Sequence, residues 1–233
     1  MRNDRRTFGT WALVSPFVGL YGCGEPAATY QDKFAPGILL EDDKAVLPAG
    51  EPLRDIHPRG LDLTERSEGW VPKLYNDAAG FCTIGYGHLA YKSRCDGKTP
   101  KEFLGGISKE EGRRLLVADM ALAQIGVQLA IRNHKDLLND LQFSALCDFV
   151  FNVGAGNFRG STLLKVIKDK NFKAVPTQLC RWVLADGKPY EGLRRRREGE
   201  IELFFEGVKE APDPDERTPA AERSPLDIRA KGT

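Results

Sequence analysis

Histidine, metal-ligand spacing and net charge are things this sequence has little of. Its three histidines, His57, His88 and His134, stand far apart, and no Cys-x2-Cys or His-x3-His pair occurs. The common zinc frameworks are thereby excluded, and no metal or cofactor is expected. Net charge is only +1, which argues against a chain whose main partner is nucleic acid. One basic run, Arg194-Arg195-Arg196-Arg197, is followed by Glu198, Glu200 and Glu202. On a helix that mixture reads as a solvated, salt-bridged face. No internal repeat is visible. The N-terminal apolar run from Phe8 to Leu20 is broken by Pro16 and by glycines, and it is too short for a membrane span.

What is present divides the chain into four parts. Residues 1–23 begin with Arg2, Arg5 and Arg6, continue through that apolar run and end at Tyr21-Gly22-Cys23. Basic, then apolar, then small is the layout of an export signal, with the start resembling a twin-arginine signal and the end a lipoprotein box with Cys23 as the lipid site. Residues 24–57 carry scattered prolines and few periodic apolar positions, and read as an extended linker. Residues 58–208 hold the periodic sequence of one domain, and residues 209–233, Pro-rich and charged, read as a disordered tail. Of five cysteines, Cys82 and Cys95 bracket a hairpin and are placed to close a short loop in an oxidising compartment. Cys147 and Cys180 lie among apolar helical residues and read as buried free thiols. Four cysteines allow three pairings, and the spacing does not choose among them.

Within the domain, Leu61–Trp70 reads as a short helix and residues 75–90 as a small antiparallel hairpin. Ser108 and Glu111 form a capping box that opens a helix running to about residue 132. Helices are expected over Leu137–Val153, Ser161–Lys170, Lys173–Leu184 and Gly192–Val208. An early hairpin joined to a helical set by one long helix is an α+β arrangement.

The chemistry concentrates at Glu-x8-Asp-x5-Thr, formed by Glu68, Asp77 and Thr83. A glutamate at the end of a helix, followed by an aspartate and a threonine on a glycine-rich hairpin, can set two carboxylates across a gap. That is the minimum equipment for breaking a glycosidic bond. Each residue also has a plainer reading. Glu68 could be a helix-surface acid like its neighbour Glu65, Asp77 a turn former with Asn76 and Gly80, and Thr83 an ordinary strand residue.

Several ordered blocks raise the signal: Ser67-Glu68-Gly69, Tyr75-Asn76-Asp77, Gly80 through His88, Gln142–Leu146, Phe151-Asn152-Val153-Gly154, Ser161–Leu164, Trp182, Gly187-Lys188 and Gly192-Leu193 running into Arg196-Arg197 and Glu200. Together they resemble the phage-type lysozyme (endolysin) family over residues 58–208. The resemblance implies a two-lobed α+β fold, a small helix and β-hairpin lobe joined by a long helix to a helical lobe. It implies a peptidoglycan hydrolase that cuts between N-acetylmuramic acid and N-acetylglucosamine; a monomer is expected, and the N-terminal signal layout places it in the periplasm or cell envelope.

Glu68 is then the general acid, with apolar cover from Trp70 or the Phe151–Val153 turn. Asp77 is the general base, holding a water with Thr83, and the reaction proceeds by single displacement with inversion. Arg196 matches an arginine that pairs with the glutamate, although four consecutive arginines leave the register open by one. His88 and Asp119 match an ion pair between the hairpin and the long helix. Asn152, Ser161 and Thr162 match positions that contact sugar, and the last two also suit helix N-caps. The alternatives are a lytic transglycosylase, which would use the same acid and have less need of Asp77, and a non-catalytic wall-binding module on the same fold.

Overall fold

The structure is a computed structural model that describes residues 45–77, 80–134, 136–185 and 187–207. The expected export signal, the lipidated Cys23 and the C-terminal tail lie outside the described residues. No helix among the described residues is long and apolar enough to cross a membrane.

The first helix, α1 (Pro58–Glu68), is capped by the His57 ring, which accepts from the backbone N–H of Arg59, and it begins on a proline. Proline suits the first helical turn, where its missing N–H would have no partner. Three strands follow, β1 (Val71–Asn76), β2 (Cys82–Gly85) and β3 (His88–Tyr91), in the order β1-β2-β3, all antiparallel. The expected hairpin therefore gains a third strand at its leading edge. The pairing Tyr75↔Thr83 and Asn76↔Cys82 fixes its register next to Asp77. A disulfide joins Cys82 to Cys95 across a sequence separation of 13, and closing such a loop is worth about 3 kcal/mol on chain-entropy grounds.

The long helix α2 (Lys109–Ala130) starts at the Ser108–Glu111 capping box, with both reciprocal hydrogen bonds present. It is followed by α3 (Asp140–Val153), α4 (Ala155–Arg159), α5 (Thr162–Lys168), α6 (Val175–Cys180) and α7 (Glu191–Phe204). The helix expected over Lys173–Leu184 stops at Cys180. Leu184–Ala185 instead pairs with Lys188–Pro189 around Gly187, whose φ of 71° suits a tight reversal. Cys147 is buried and free, as expected. Cys180 is not a free thiol: it is disulfide-bonded. It ends α6 and is only partly buried, so its sulfur can reach another segment.

α2 serves both halves of the molecule. Near its start Gly112 faces Trp70, and farther along Asp119 meets His88. Near its end Gly126 lies against Ala155, among helices built around Phe143, Phe149, Phe158 and Phe204. The helix α1, grouped with the hairpin in the sequence reading, rests on the helical side. Gly60 abuts Ser144 of α3, and Leu63 fills the space over Gly199 of α7.

Residues 51–57, read as a linker, have no helix or strand but are fastened to the bundle. The Arg54 backbone N–H donates to Gln128 Oε1 at 3.0 Å, and its carbonyl accepts from Gln124 Nε2 at 2.7 Å. The Arg54 side chain reaches the Leu138 carbonyl at 2.9 Å and Asp140 at 2.7 Å, and covers the Phe143 ring at 4.5 Å. The His57 N–H donates to Ser144 Oγ at 2.8 Å. The folded unit thus begins ahead of residue 58, because backbone groups on this strap have side-chain partners that a free linker would lack.

A Cβ at position 112 would lie 2.2 Å from Trp70 Cζ3. Gly112→Ala gains up to about 1 kcal/mol in helix propensity but forces a rigid indole aside, at about 1–3 kcal/mol. The variant is expected to melt a few degrees lower than the wild type in thermal unfolding.

Candidate active site

Glu68 is the last residue of α1, and only 3% of its side chain is exposed. Its Oε1 accepts a hydrogen bond from Arg196 Nη1 at 2.6 Å. Its Oε2 faces Gly87, where an added Cβ would lie 3.3 Å from the oxygen, and the Gly87 φ of 85° disfavours any side chain. The glycine of the β2–β3 turn thus leaves room for the carboxyl. Burial raises the Glu68 pKa, the charge and hydrogen bond of Arg196 pull it down, and the charge of Asp148 adds to the rise; the net direction is upward.

Of the four consecutive arginines, Arg194 and Arg195 pair with Glu191 and Glu198 on the outer side of α7. Arg196 and Arg197 turn inward and are fully buried. Besides Glu68, Arg196 donates from Nε and Nη2 to the Asp148 carboxylate, both at 2.9 Å. The Thr64 hydroxyl donates to Asp148 Oδ1 at 2.7 Å. Arg197 Nη2 donates to Asn152 Oδ1 at 2.8 Å and to Glu200 Oε1 at 2.6 Å, and its guanidinium lies 4.9 Å from the Phe149 ring centre.

On the sheet side, Asp77 follows β1. Its Oδ1 accepts from the Phe81 N–H at 2.8 Å, and its Oδ2 lies 3.4 Å from the Thr83 hydroxyl, which is also 3.2 Å from the Phe81 carbonyl. Tyr75 lies within electrostatic reach of both carboxylates: burial raises its phenol pKa, and the charges of Glu68 and Asp77 raise it further. His88 Nδ1 bonds Asp119 at 2.9 Å and ties β3 to α2.

The remaining candidates have local roles. Asn152 is 1% exposed, and its amide oxygen is taken by Arg197. The Ser161 hydroxyl accepts from the Leu164 N–H and donates to the Phe158 carbonyl, which is helix capping. Thr162 is the first residue of α5 and is partly buried. Among the described residues no cluster of side chains is suited to hold a metal.

Two residues of this site escaped the sequence reading. Asp148 stands inside the apolar stretch Leu146-Cys147-Asp148-Phe149-Val150, where an acid must be paired to be buried. Tyr75 lies on β1 only two positions before Asp77, beside a residue already singled out. Either signal could have found them.

The family model for phage lysozyme matches residues 65–200. The chain belongs to the phage lysozyme family. The endolysin of Salmonella phage P22 is 32% identical over 153 residues, covering 66% of this chain and 99% of that protein. A SAR-endolysin of Enterobacteria phage PA-2 is 37% identical over 150 residues, covering 64% of this chain and 82% of that one. Among solved structures, P22 lysozyme superposes with a TM-score of 0.52 at 32% identity, covering 65% and 99% of the two chains. An endolysin from the Escherichia coli O157:H7 phage FAHEc1 gives 0.54 at 29% identity, covering 66% and 96%. The α+β lysozyme fold expected from the sequence is the fold observed.

The raised Glu68 pKa has a consequence for stability. In the unfolded chain Glu68 loses its proton near 4.5, and in the folded chain it keeps the proton to higher pH. Between those values the native state binds more protons, so stability falls as pH rises through the window. Glutamine keeps an oxygen for Arg196 and does not ionise. Glu68→Gln is therefore expected to melt above the wild type at neutral pH, with the difference fading once pH drops below 4.5; thermal unfolding across pH checks both halves.

Proposed function

We propose that this chain is a muramidase that hydrolyses the β-1,4 bond between N-acetylmuramic acid and N-acetylglucosamine in peptidoglycan, with inversion. Membership of the phage lysozyme family supports a cell-wall hydrolase. The observation that carries the finer reading is the contrast between two carboxyl groups. Glu68 is buried and biased towards its neutral form, as a proton donor must be. Asp77 is held by the Phe81 N–H and the Thr83 hydroxyl, as a water-orienting acceptor should be.

In this reading Glu68 gives its proton to the glycosidic oxygen as the bond to C1 breaks. Asp77 takes a proton from a water whose oxygen attacks C1 from the opposite face, and Thr83 helps to fix that water. An inverting pair needs a gap of about 6.5–9.5 Å to admit the water. Arg196 holds the acid in place, and Tyr75, within electrostatic reach of both carboxyls, is suited to line the sugar path. The His88–Asp119 pair is structural and keeps the sheet seated on α2. Asn152 and Ser161 have amide and hydroxyl groups engaged within the protein, and sugar contact through them is secondary. The substrate lies in the cell envelope, and the Cys82–Cys95 disulfide fits an exported chain.

Glu68→Gln is expected to lower the clearing of purified peptidoglycan by at least about 10²-fold while the fold stays intact, and Asp77→Ala to lower it by a similar factor. Mass spectrometry of the wild-type products should give reducing-end muramic acid. A 1,6-anhydro end would reassign the chain as a transglycosylase, and full activity of Glu68→Gln would remove the acid from its role. The wild-type rate should also fall as pH rises through the Glu68 pKa, because only the protonated carboxyl can act as donor.

A further inference from the structure

The buried carboxylate of Asp148 takes no part in the chemistry above, yet it grips the arginine that holds the proton donor. A guanidinium is planar, so fixing two of its nitrogens fixes the direction of the third. Arg196 Nε and Nη2 both go to Asp148 at 2.9 Å, which leaves Nη1 aimed at Glu68, 2.6 Å away. The side chains of Arg196 and Asp148 are 0% exposed and that of Glu68 3%, so water screens none of these charges. Thr64, one turn before Glu68 on α1, donates to Asp148 Oδ1 at 2.7 Å. The circuit closes on itself: Glu68 and Thr64 on one helix, Asp148 on the second, Arg196 on the third.

Charge gives the arrangement its chemical meaning. A lone guanidinium at hydrogen-bond distance drives a carboxyl towards ionisation, the wrong state for a proton donor. A second carboxylate on the far side of the same guanidinium opposes that pull. We infer that Asp148 is a positioning residue for the proton donor: it aims Arg196 at Glu68 and offsets the charge of Arg196 so that Glu68 keeps its proton. This rests on the reading of Glu68 as general acid.

The other groups facing the cluster leave that role to Asp148. On α7, Arg197 is committed to Glu200 and Asn152, and Glu200 is 4.0 Å from Arg196 Nε. Burial pushes the Glu200 carboxyl well up, beyond the opposing pull of Arg197. On α1, Glu65 is paired with Arg113 of α2. From β1 comes the Tyr75 phenol, which feels the charges of both Glu68 and Asp77. Burial would raise Asp148 as well, but the charge and hydrogen bonds of Arg196, with hydrogen bonds from Glu200 and Thr64, bring it below its ordinary value, so it is the ionised partner.

The test is Asp148→Asn, which keeps the shape and removes the charge. The pH–rate profile on purified peptidoglycan and a carbon-13 NMR titration of the Glu68 carboxyl are measured for both proteins. The alkaline limb of the rate and the Glu68 titration should both move down by about one pH unit or more. At a pH on the falling limb of the wild type, the variant should then be about tenfold slower, with a much smaller change on the acidic side. A role confined to stability would lower the melting temperature and leave the limb in place, so a folded Asp148→Asn with an unmoved limb overturns the inference. If that variant does not fold, Thr64→Val replaces it. Removing the hydroxyl donor to Asp148 should move the limb the same way by less, and an unmoved limb in folded Thr64→Val overturns the inference equally. Activity that depends on Glu68 alongside an unmoved limb defeats this inference alone, whereas a Glu68→Gln enzyme with full activity defeats the functional reading and this one with it.

Discussion

One buried guanidinium organises the molecule. Arg196 enters from α7 and is met by Asp148 from α3 and Glu68 from α1, so three helices of the bundle converge on a single cation. Such a group tolerates little displacement: a buried charge that loses one partner is left uncompensated, which typically costs about 3–5 kcal/mol. The constraint fixes the rotation of α7, since turning it by one residue would bring Arg195 or Arg197 to the site and break the pairing. It also fixes the end of α1, where the helix must deliver a carboxyl and stop. Gly69, with a φ of 73°, makes that stop by accepting a conformation other residues avoid, and the chain passes directly into the first strand.

The sheet is set against this anchor by different means. Trp70, the residue after Gly69, lies in a slot made by Gly112 on α2 and Gly85 on β2, and packs on Tyr86 with ring centres 4.9 Å apart. His88 then binds Asp119. These contacts bring the Gly85-Tyr86-Gly87 turn to the Glu68 carboxyl. The same strands carry Thr83 and, through the Tyr75↔Thr83 pairing, the end of β1 that leads to Asp77. The two carboxyls therefore belong to separate packing systems, one ionic and helical, the other aromatic and β-sheet, that share α2 as a common support.

Much of this could be read from the sequence, and for physical reasons. Glu68, Asp77 and Thr83 lie close together along the chain, so their spacing survives as a recognisable pattern. The Ser108–Glu111 box is local chemistry and appears at the position expected. The pairing of Glu68 with Arg196 spans 128 residues, and no local rule could choose among four consecutive arginines; only the fold turns two of them inward. Asp148 was hidden for the same reason, since its partners are distant and its helical neighbours apolar. The strap at 51–57 looked like linker because its bonds run to Gln124, Gln128 and Ser144, far along the chain. The disulfide state of Cys180 depends on a partner that local hydrophobicity does not identify.

The buried ionisable cluster raises the question of what holds the domain together. Glu68, Asp148, Arg196, Arg197 and Glu200 are nearly or fully buried, and well-packed apolar residues of similar volume would often be at least as stable in their place. Their presence fits the functional demand proposed for Glu68, a proton donor in a dry, fixed setting, better than a structural one. Stability must then come from around them. Phe143, Phe149, Phe158 and Phe204 form an aromatic core beside the cluster, with Phe149 directly beneath the Arg197 guanidinium. The Arg54 strap closes over Phe143, joining α2 to α3 on the far side of the core, and the Cys82–Cys95 bridge stiffens the sheet. The outer ties and the apolar core are what allow the middle of the bundle to keep a polar arrangement that favours catalysis over packing.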